Sequence, residues 1–327
     1  MILVTGGAGF IGSNLVAALT EAGQRVAVCD RLGQGEKWRN LAKRELEDLV
    51  PPDGLTDFLA RESGAVSAVV HLGAISDTTE RDADRLIETN FALSCRLWTW
   101  CAEHNKQFIY ASSAATYGDG AAGFDDDISI EHLATLRPLN GYGWSKQLFD
   151  RWVARRLAVD GPRPLQWAGL KFFNVFGPNE YHKGAQASVA WHLHQQISKG
   201  EPARLFQSHH PDYADGGQLR DFVWVGDCVE VMLWLLDQRR VNGLFNVGSG
   251  TARSFADLAR ALFEALGRPQ DIQYVPTPEA IRDTYQYFTQ ASIERLRAAG
   301  YEAPFTALEA GVARYVRDYL SAEDPYR

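Results

Sequence analysis

Short apolar runs alternate with amphipathic stretches through the first third of the chain. Ile2 to Val4, Val26 to Cys29, Ala68 to His71 and Phe108 to Ala111 are each too short for a helix and read as buried strands. Between them, Ser13 to Glu21 and Leu86 to Cys101 repeat apolar residues at helical spacing. In the second stretch Leu86, Ile87, Leu93, Leu97 and Trp98 gather near one face, with the polar Asn90 among them. Strand and helix in alternation predict an α/β fold with a doubly wound parallel sheet, covered on both faces. A further helix runs through Phe149, Trp152 and Val153, and Leu165 to Phe173 has the pattern of another buried strand.

After residue 173 the pattern loosens into a stretch rich in Gly, Pro and His. Asp221 to Val225, Asp227 to Leu236 and Leu244 to Val247 then resemble elements that rejoin the first sheet. We therefore expect a dinucleotide-type α/β domain over residues 1–173 and 221–250. Residues 174–220 and 251–327 would form a smaller mixed α/β substrate lobe at the carboxyl edge of the strands, where open α/β sheets bind ligands.

The 327 residues suffice for such a body, and a formal net charge of -8 without a Lys/Arg run argues against a nucleic-acid partner. Cys29, Cys95, Cys101 and Cys228 lack the spacing of a metal or redox motif and read as reduced core thiols. The strand-like Ile2 to Val4 follows the first residue directly, and no long apolar run appears, so no membrane partner is expected and the location expected is cytoplasmic.

The first chemistry-bearing motif lies between the first strand and the first helix. Gly6, Gly9 and Gly12 give Gly-x-x-Gly-x-x-Gly, with Phe10 and Ile11 inside it. Glycines there allow a tight turn, backbone approach to a pyrophosphate, and close helix packing, the Rossmann-type cofactor turn. Asp30 ends the second strand, where an acid commonly bonds the adenosine ribose and favours NAD. Arg31 and Lys37 follow and could instead pair with the 2'-phosphate of NADP. Both cofactors stay open at this point. Leu72, Gly73, Ala74, Ile75 and Ser76, after the third strand, bring further backbone toward the cofactor. His71 itself reads as a hydrogen-bonded core histidine.

The second motif is Tyr142-Gly143-Trp144-Ser145-Lys146. Residues four apart share a helix face, so the phenol and ammonium can enter one pocket. A phenol titrates near ~10 in water, and a nearby cation favours its phenolate. Such a pair beside a nicotinamide can move a hydroxyl proton as hydride transfers.

Together with Ser112-Ser113-Ala114-Ala115-Thr116-Tyr117-Gly118, these motifs resemble the extended short-chain dehydrogenase/reductases, the NAD-dependent epimerase/dehydratase family, along essentially the whole chain. The resemblance implies that Tyr142 is the acid/base, that Lys146 holds the nicotinamide ribose and lowers the phenol pKa, and that Ser113 orients the substrate hydroxyl. Dehydratases of the family carry an acidic pair where this chain has Ala114 and Ala115. Methyl groups transfer no protons, so epimerisation or simple oxidation is favoured over dehydration.

Phe172 to Gly184, Ala187 to His192, Arg220 to Val223 and Tyr285 to Gln290 are similar to those epimerases of the family that invert C6 of an ADP-linked heptose for the lipopolysaccharide inner core. That resemblance implies an ADP-heptose substrate, a bound cofactor that is usually NADP, and a homo-oligomer, often a pentamer. It places a second proton-transfer group on Lys183, also beside the cofactor with Val175. Substrate contacts would fall on Asn174, Ala185, His192, Phe206, Gln207, Arg220 and Tyr285, with the Arg220 fork suited to a diphosphate.

Two departures stand out. Ala185 occupies a position that is commonly serine, and the polar segment between Phe206 and Arg220 is longer than usual. His209, His210, Asp212 and Asp215 in that segment match no metal-ligand spacing, so we expect a polar loop and no metal. A UDP-hexose 4-epimerase is the alternative activity, and a cofactor-sensing homologue without catalysis is the alternative class.

Overall fold

The computed structural model describes residues 1–282 and 285–327. Its strands are β1 (Ile2–Thr5), β2 (Val26–Cys29), β3 (Asp48–Val50), β4 (Ala68–His71), β5 (Gln107–Ser113), β6 (Gln166–Phe172), β7 (Asn174–Phe176), β8 (Ala203–Phe206), β9 (Leu219–Trp224), β10 (Gly243–Val247), β11 (Ala252–Ser254) and β12 (Ile272–Val275). Seven of them form one sheet in the order β10-β6-β5-β4-β1-β2-β3, with every pairing parallel.

Alternation of side chains explains the double burial. On β1, Ile2 and Val4 enter one core with Leu15, Val28 and Val229, while Leu3 enters the other with Trp98, Phe108 and Phe149. Helices Phe10–Glu21 and Val225–Asp237 cover the first face, and Leu93–Glu103 and Gly141–Ala158 cover the second. A third core joins Phe176, Leu193, Phe222, Trp224, Leu262 and Tyr315 under the smaller sheets β11-β9-β7 and β12-β8.

The chain departs from the sequence expectation in three places. Strand β9 does not rejoin the large sheet but pairs with β7 and β11. Val223 faces the large core while Phe222 and Trp224 face the smaller one, so both faces are buried and the run reads like a large-sheet strand. The short edge strand β3 was not foreseen, because Asp48 and Leu49 are only partly covered. The expected helix over 86–101 contains a π-turn at Ile87–Ala92. Asn90 within it exchanges hydrogen bonds with the Ile75 backbone at 2.9 Å in both directions and donates to the Ser145 hydroxyl at 2.9 Å.

All four cysteines are free thiols, three of them buried. Among the described residues, no helix is long and apolar enough to cross a membrane, and no His/Cys/Asp/Glu group is arranged to hold a metal.

Candidate active site

A cleft of about 500 Å³ opens where the carboxyl ends of β1, β4, β5 and β6 meet the segment from 172 to 190. Gly6, Gly9, Phe10, Ile11, Gly12, Asp30, Lys37, Leu72, Gly73, Ala74 and Ser76 line one end of it. At Gly12 a Cβ would sit 2.1 Å from the Gly6 carbonyl oxygen, so the helix can start this close to the strand only with glycine. Gly9 caps that helix without a side-chain hydrogen bond, which leaves first-turn amides free to receive an anion.

Asp30 sits at the rim of this end. Its carboxylate accepts from the Ala8 amide at 2.9 Å and the Arg31 amide at 2.7 Å, and pairs with Lys37 Nζ at 2.6 Å. Lys37 is itself mostly covered and lines the cleft. Arg31 does not join it: its guanidinium pairs with the exposed Asp53 at 2.7 Å, away from the cleft. A glycine cradle, free helix amides and a carboxylate at the end of β2 fit a dinucleotide.

The other end carries Ser113, Tyr142, Lys146, Asn174, Val175 and Lys183. Helix Gly141–Ala158 is capped by Asn140, whose side chain accepts from the Gly143 amide at 2.8 Å. Gly143 lets this helix touch the turn Ala114–Tyr117, because a Cβ there would lie 2.6 Å from the Ala115 carbonyl oxygen. Tyr142 and Lys146 thereby face the end of β5. Burial raises the Tyr142 phenol above its ordinary value, with the Ser113 hydroxyl acting the other way. Lys146 is not among the groups that move it, which differs from the expected lowering by the lysine. Lys146 Nζ instead donates to the Ala111 carbonyl at 2.9 Å, and burial lowers its ammonium to about 8 against the opposing pull of Asp150.

Lys183 comes from the turn Tyr181–Gln186, and its Nζ lies 5.5 Å from the Phe10 ring centroid. Burial lowers its pKa while Glu180 raises it. Tyr142 and Lys183, on separate elements, thus line one cleft.

The remaining expected residues gather elsewhere. Ile75 and the exposed Ala185 do not line the cleft, nor does His192 on helix Val189–Ser198. Phe206, Arg220 and Tyr285 form their own cluster, with the Arg220 guanidinium 5.5 Å from the Tyr285 ring and that ring 6.2 Å from Phe206. Gln207 follows Phe206, and its carbonyl accepts from Thr277 Oγ1 at 2.8 Å. In the polar segment 208–217, His209 Nδ1 lies 2.8 Å from the Tyr287 hydroxyl, and the His210 and Tyr213 rings pack tilted against the same tyrosine.

Two residues that were not among the expected contacts bear on the cleft. His182 lines the cleft beside Lys183, and burial with Lys37 nearby lowers its pKa to about 4. Asn40 donates to the Ala8 and Asn179 carbonyls at 2.9 and 3.0 Å, joining the cofactor turn to the segment before Lys183. His71, read as a core residue, is one: it lies 2.6 Å from Thr5 Oγ1 and 2.9 Å from Ser94 Oγ, and burial lowers it to about 3.

A doubly wound sheet with a glycine turn at one end of its cleft and a tyrosine–lysine helix at the other defines a class of nicotinamide-using enzymes. The chain belongs to the NAD dependent epimerase/dehydratase family, whose sequence profile matches residues 2–248. It is 52% identical over 329 residues, with both chains covered in full, to the ADP-L-glycero-D-manno-heptose-6-epimerase of Nitratidesulfovibrio vulgaris strain DP4. The crystal structure of the Helicobacter pylori ADP-L-glycero-D-manno-heptose-6-epimerase superposes with a TM-score of 0.78 at 28% identity, covering 97% of this chain and 95% of that one. Thermus thermophilus UDP-glucose 4-epimerase in complex with NAD gives 0.74 at 26% identity, covering 96% and 97%.

Proposed function

We propose that the protein inverts C6 of ADP-D-glycero-D-manno-heptose to give ADP-L-glycero-D-manno-heptose, through a transient 6-keto sugar, for the lipopolysaccharide inner core. The observation that carries this reading is that Tyr142 and Lys183 reach the same cleft from different elements. Simple oxidation needs one proton-transfer group. Inversion presents the hydroxyl in two orientations, and a second group serves the second one. Relatives matching the whole chain at 52% identity bear the heptose epimerase name, which supports this substrate over a UDP-hexose.

A nicotinamide cofactor held by the glycine turn and the Asp30–Lys37 rim would supply the hydride chemistry at C6. Tyr142 exchanges the hydroxyl proton in one orientation, with Ser113 holding the oxygen. Lys183 does so in the other, and partial desolvation suits its amine to that task. Lys146, an ammonium on the same helix face as Tyr142, would hold the nicotinamide ribose. Asn174 contacts the sugar from within the cleft, while Phe206, Gln207, Arg220 and Tyr285 take the nucleotide. Neither Ala114 nor Ala115 can assist loss of water.

NADP is the cofactor we assign, because Lys37 neutralises Asp30 at the rim and lies where a 2'-phosphate would need a cation. A cytoplasmic homo-oligomer, pentameric by family resemblance, completes the reading. The test is to incubate the purified protein separately with ADP-D-glycero-D-manno-heptose and UDP-galactose and follow inversion by NMR. Turnover of the heptose nucleotide supports the assignment, and turnover of the galactose nucleotide alone overturns it.

A further inference from the structure

Helix Gly141–Ala158 carries Tyr142, Lys146 and Asp150 at successive four-residue steps, hence on one face. The third member of this stripe is fully buried. Asp150 Oδ2 accepts from Ser112 Oγ at 2.6 Å and from Lys171 Nζ at 3.1 Å, and Oδ1 accepts from the Tyr110 hydroxyl at 3.1 Å. Lys171 has no exposed side-chain surface at all. It reaches this point because β5 and β6 pair with Ser112 opposite Lys171.

The pair touches the catalytic groups from below by two routes. Lys171 Nζ donates to Thr116 Oγ1 at 2.6 Å, and Thr116 Oγ1 donates to the carbonyl of Ser113 at 2.8 Å. Asp150 lies one helical turn beneath Lys146, whose own Nζ is held by the Ala111 carbonyl on the same strand as Ser112. A buried ion pair is a weak source of net stability, because removing both charges from water costs as much as their attraction returns. Its presence directly under the site calls for another account.

We propose that Asp150 and Lys171 are positioning residues, a buried charge pair that keeps Lys146 an ammonium and fixes the turn bearing Ser113. Without a carboxylate beneath it, a lysine this enclosed sheds its proton more readily. Lys171 in turn gives Asp150 a counter-charge in the dry interior while directing a second donor to Thr116. The groups facing the pair come from every adjoining element. Tyr110 and Ser112 lie on β5, and Thr116 and Tyr117 on the turn, with Lys171 Nζ 4.7 Å from the Tyr117 ring. The Tyr117 hydroxyl passes to Asn246 at 2.7 Å, whose amide reaches Asp126 at 2.7 Å. His71 on β4 faces Lys146 and is kept neutral by burial. Asp150 is therefore the anion acting on Lys146, consistent with the upward pull it exerts there.

The proposal rests on the role given above to Lys146 as a cation, but its test does not require a substrate. Full-length protein labelled with 13C at lysine Cε is titrated by NMR, with Lys146 assigned from the loss of its signal in Lys146→Met. In the wild type Lys146 should titrate at about 8. In Asp150→Asn it should titrate lower by about one unit or more, the scale of a neighbouring opposite charge. Asp150→Asn/Lys171→Met removes both charges together, so a folded protein is expected even if the single change leaves Lys171 stranded. It should still show a downward shift, smaller than in Asp150→Asn because the like charge of Lys171 is removed too, and the alkaline limb of the turnover profile should move with it. Lys171→Arg, which keeps the charge, should retain the wild-type titration. A folded double variant with Lys146 titrating as in the wild type overturns the proposal and leaves the pair a packing feature, whichever nucleotide sugar the enzyme uses.

Discussion

Lys37 Nζ stands 2.6 Å from Asp30 Oδ1, so the acid at the end of β2 faces the cleft as half of an ion pair. A lone carboxylate there would repel a 2'-phosphate. Paired, it leaves an ammonium that can turn toward one. Charge-assisted hydrogen bonds contribute ~1.5–3 kcal/mol, or roughly 10–100-fold in affinity. Lys37→Met should therefore weaken NADP by that factor and NAD much less, measured by calorimetry on cofactor-stripped protein. Equal losses for both dinucleotides would count against the assignment of Lys37.

Gly12→Ala places a Cβ 2.1 Å from the Gly6 carbonyl oxygen, a rigid backbone atom that cannot swing aside. The helix must retreat from the turn. We expect a loss of ~1–3 kcal/mol or more in urea unfolding, together with a protein that purifies without dinucleotide. Retention of full cofactor occupancy would contradict the cradle reading.

Lys146 offers a stability test in which a buried cleft residue is the unfavourable one. Its ammonium is brought from 10.5 in the unfolded chain to about 8 by burial. Below pH 8 both states are protonated and the full penalty of burying the charge, roughly 3 kcal/mol, bears on the fold. Between about 8 and 10.5 the unfolded chain binds more protons, so stability gained from this group rises with pH. Lys146→Met should thus melt higher than the wild type at pH 7, by less than that penalty because the bond to Ala111 is lost. The advantage should close as the pH approaches 10, a trend that thermal melts across the range would follow.

His71 acts at the acid end. Its pKa falls from 6.5 to about 3 in the fold, so the unfolded chain binds the extra proton between those values. The stability associated with the neutral ring is present above pH 6.5 and is lost as the pH falls toward 3, amounting to roughly 5 kcal/mol. His71→Gln, which can still meet Thr5 and Ser94, should be less stable at pH 7 yet show a flatter decline between pH 6 and 4. Parallel declines in the two proteins would exclude His71 as the titrating group.

Much of this architecture is written locally. The runs at β1, β2 and β4 and the glycine turn are each contained within a few neighbouring residues, and alternation with amphipathic helices leaves little choice of fold. Tyr142 and Lys146 are legible for the same reason, since their relation is one helical turn. The residues that were not foreseen depend on partners far along the chain. Asn90 acts on Ile75 and Ser145, Asn40 joins residue 8 to residue 179, and Lys171 meets Asp150 only because β5 and β6 pair in one register. Arg31 failed as a cleft residue for a related reason: an exposed partner at Asp53 holds it outward.

Glu180 is buried, and its carboxylate accepts from the Gly177 amide at 3.3 Å, Ser188 Oγ at 2.8 Å and the Tyr315 hydroxyl at 3.0 Å. One acid therefore clasps both feet of the arch from 177 to 188 and anchors them to the C-terminal helix. Lys183 rides at the crown of that arch, so its amine explores the cleft through rotation of its own side chain while its attachment point stays fixed. Changes in the helix Leu308–Tyr315, outside the cleft, would be transmitted to Lys183 through this clasp.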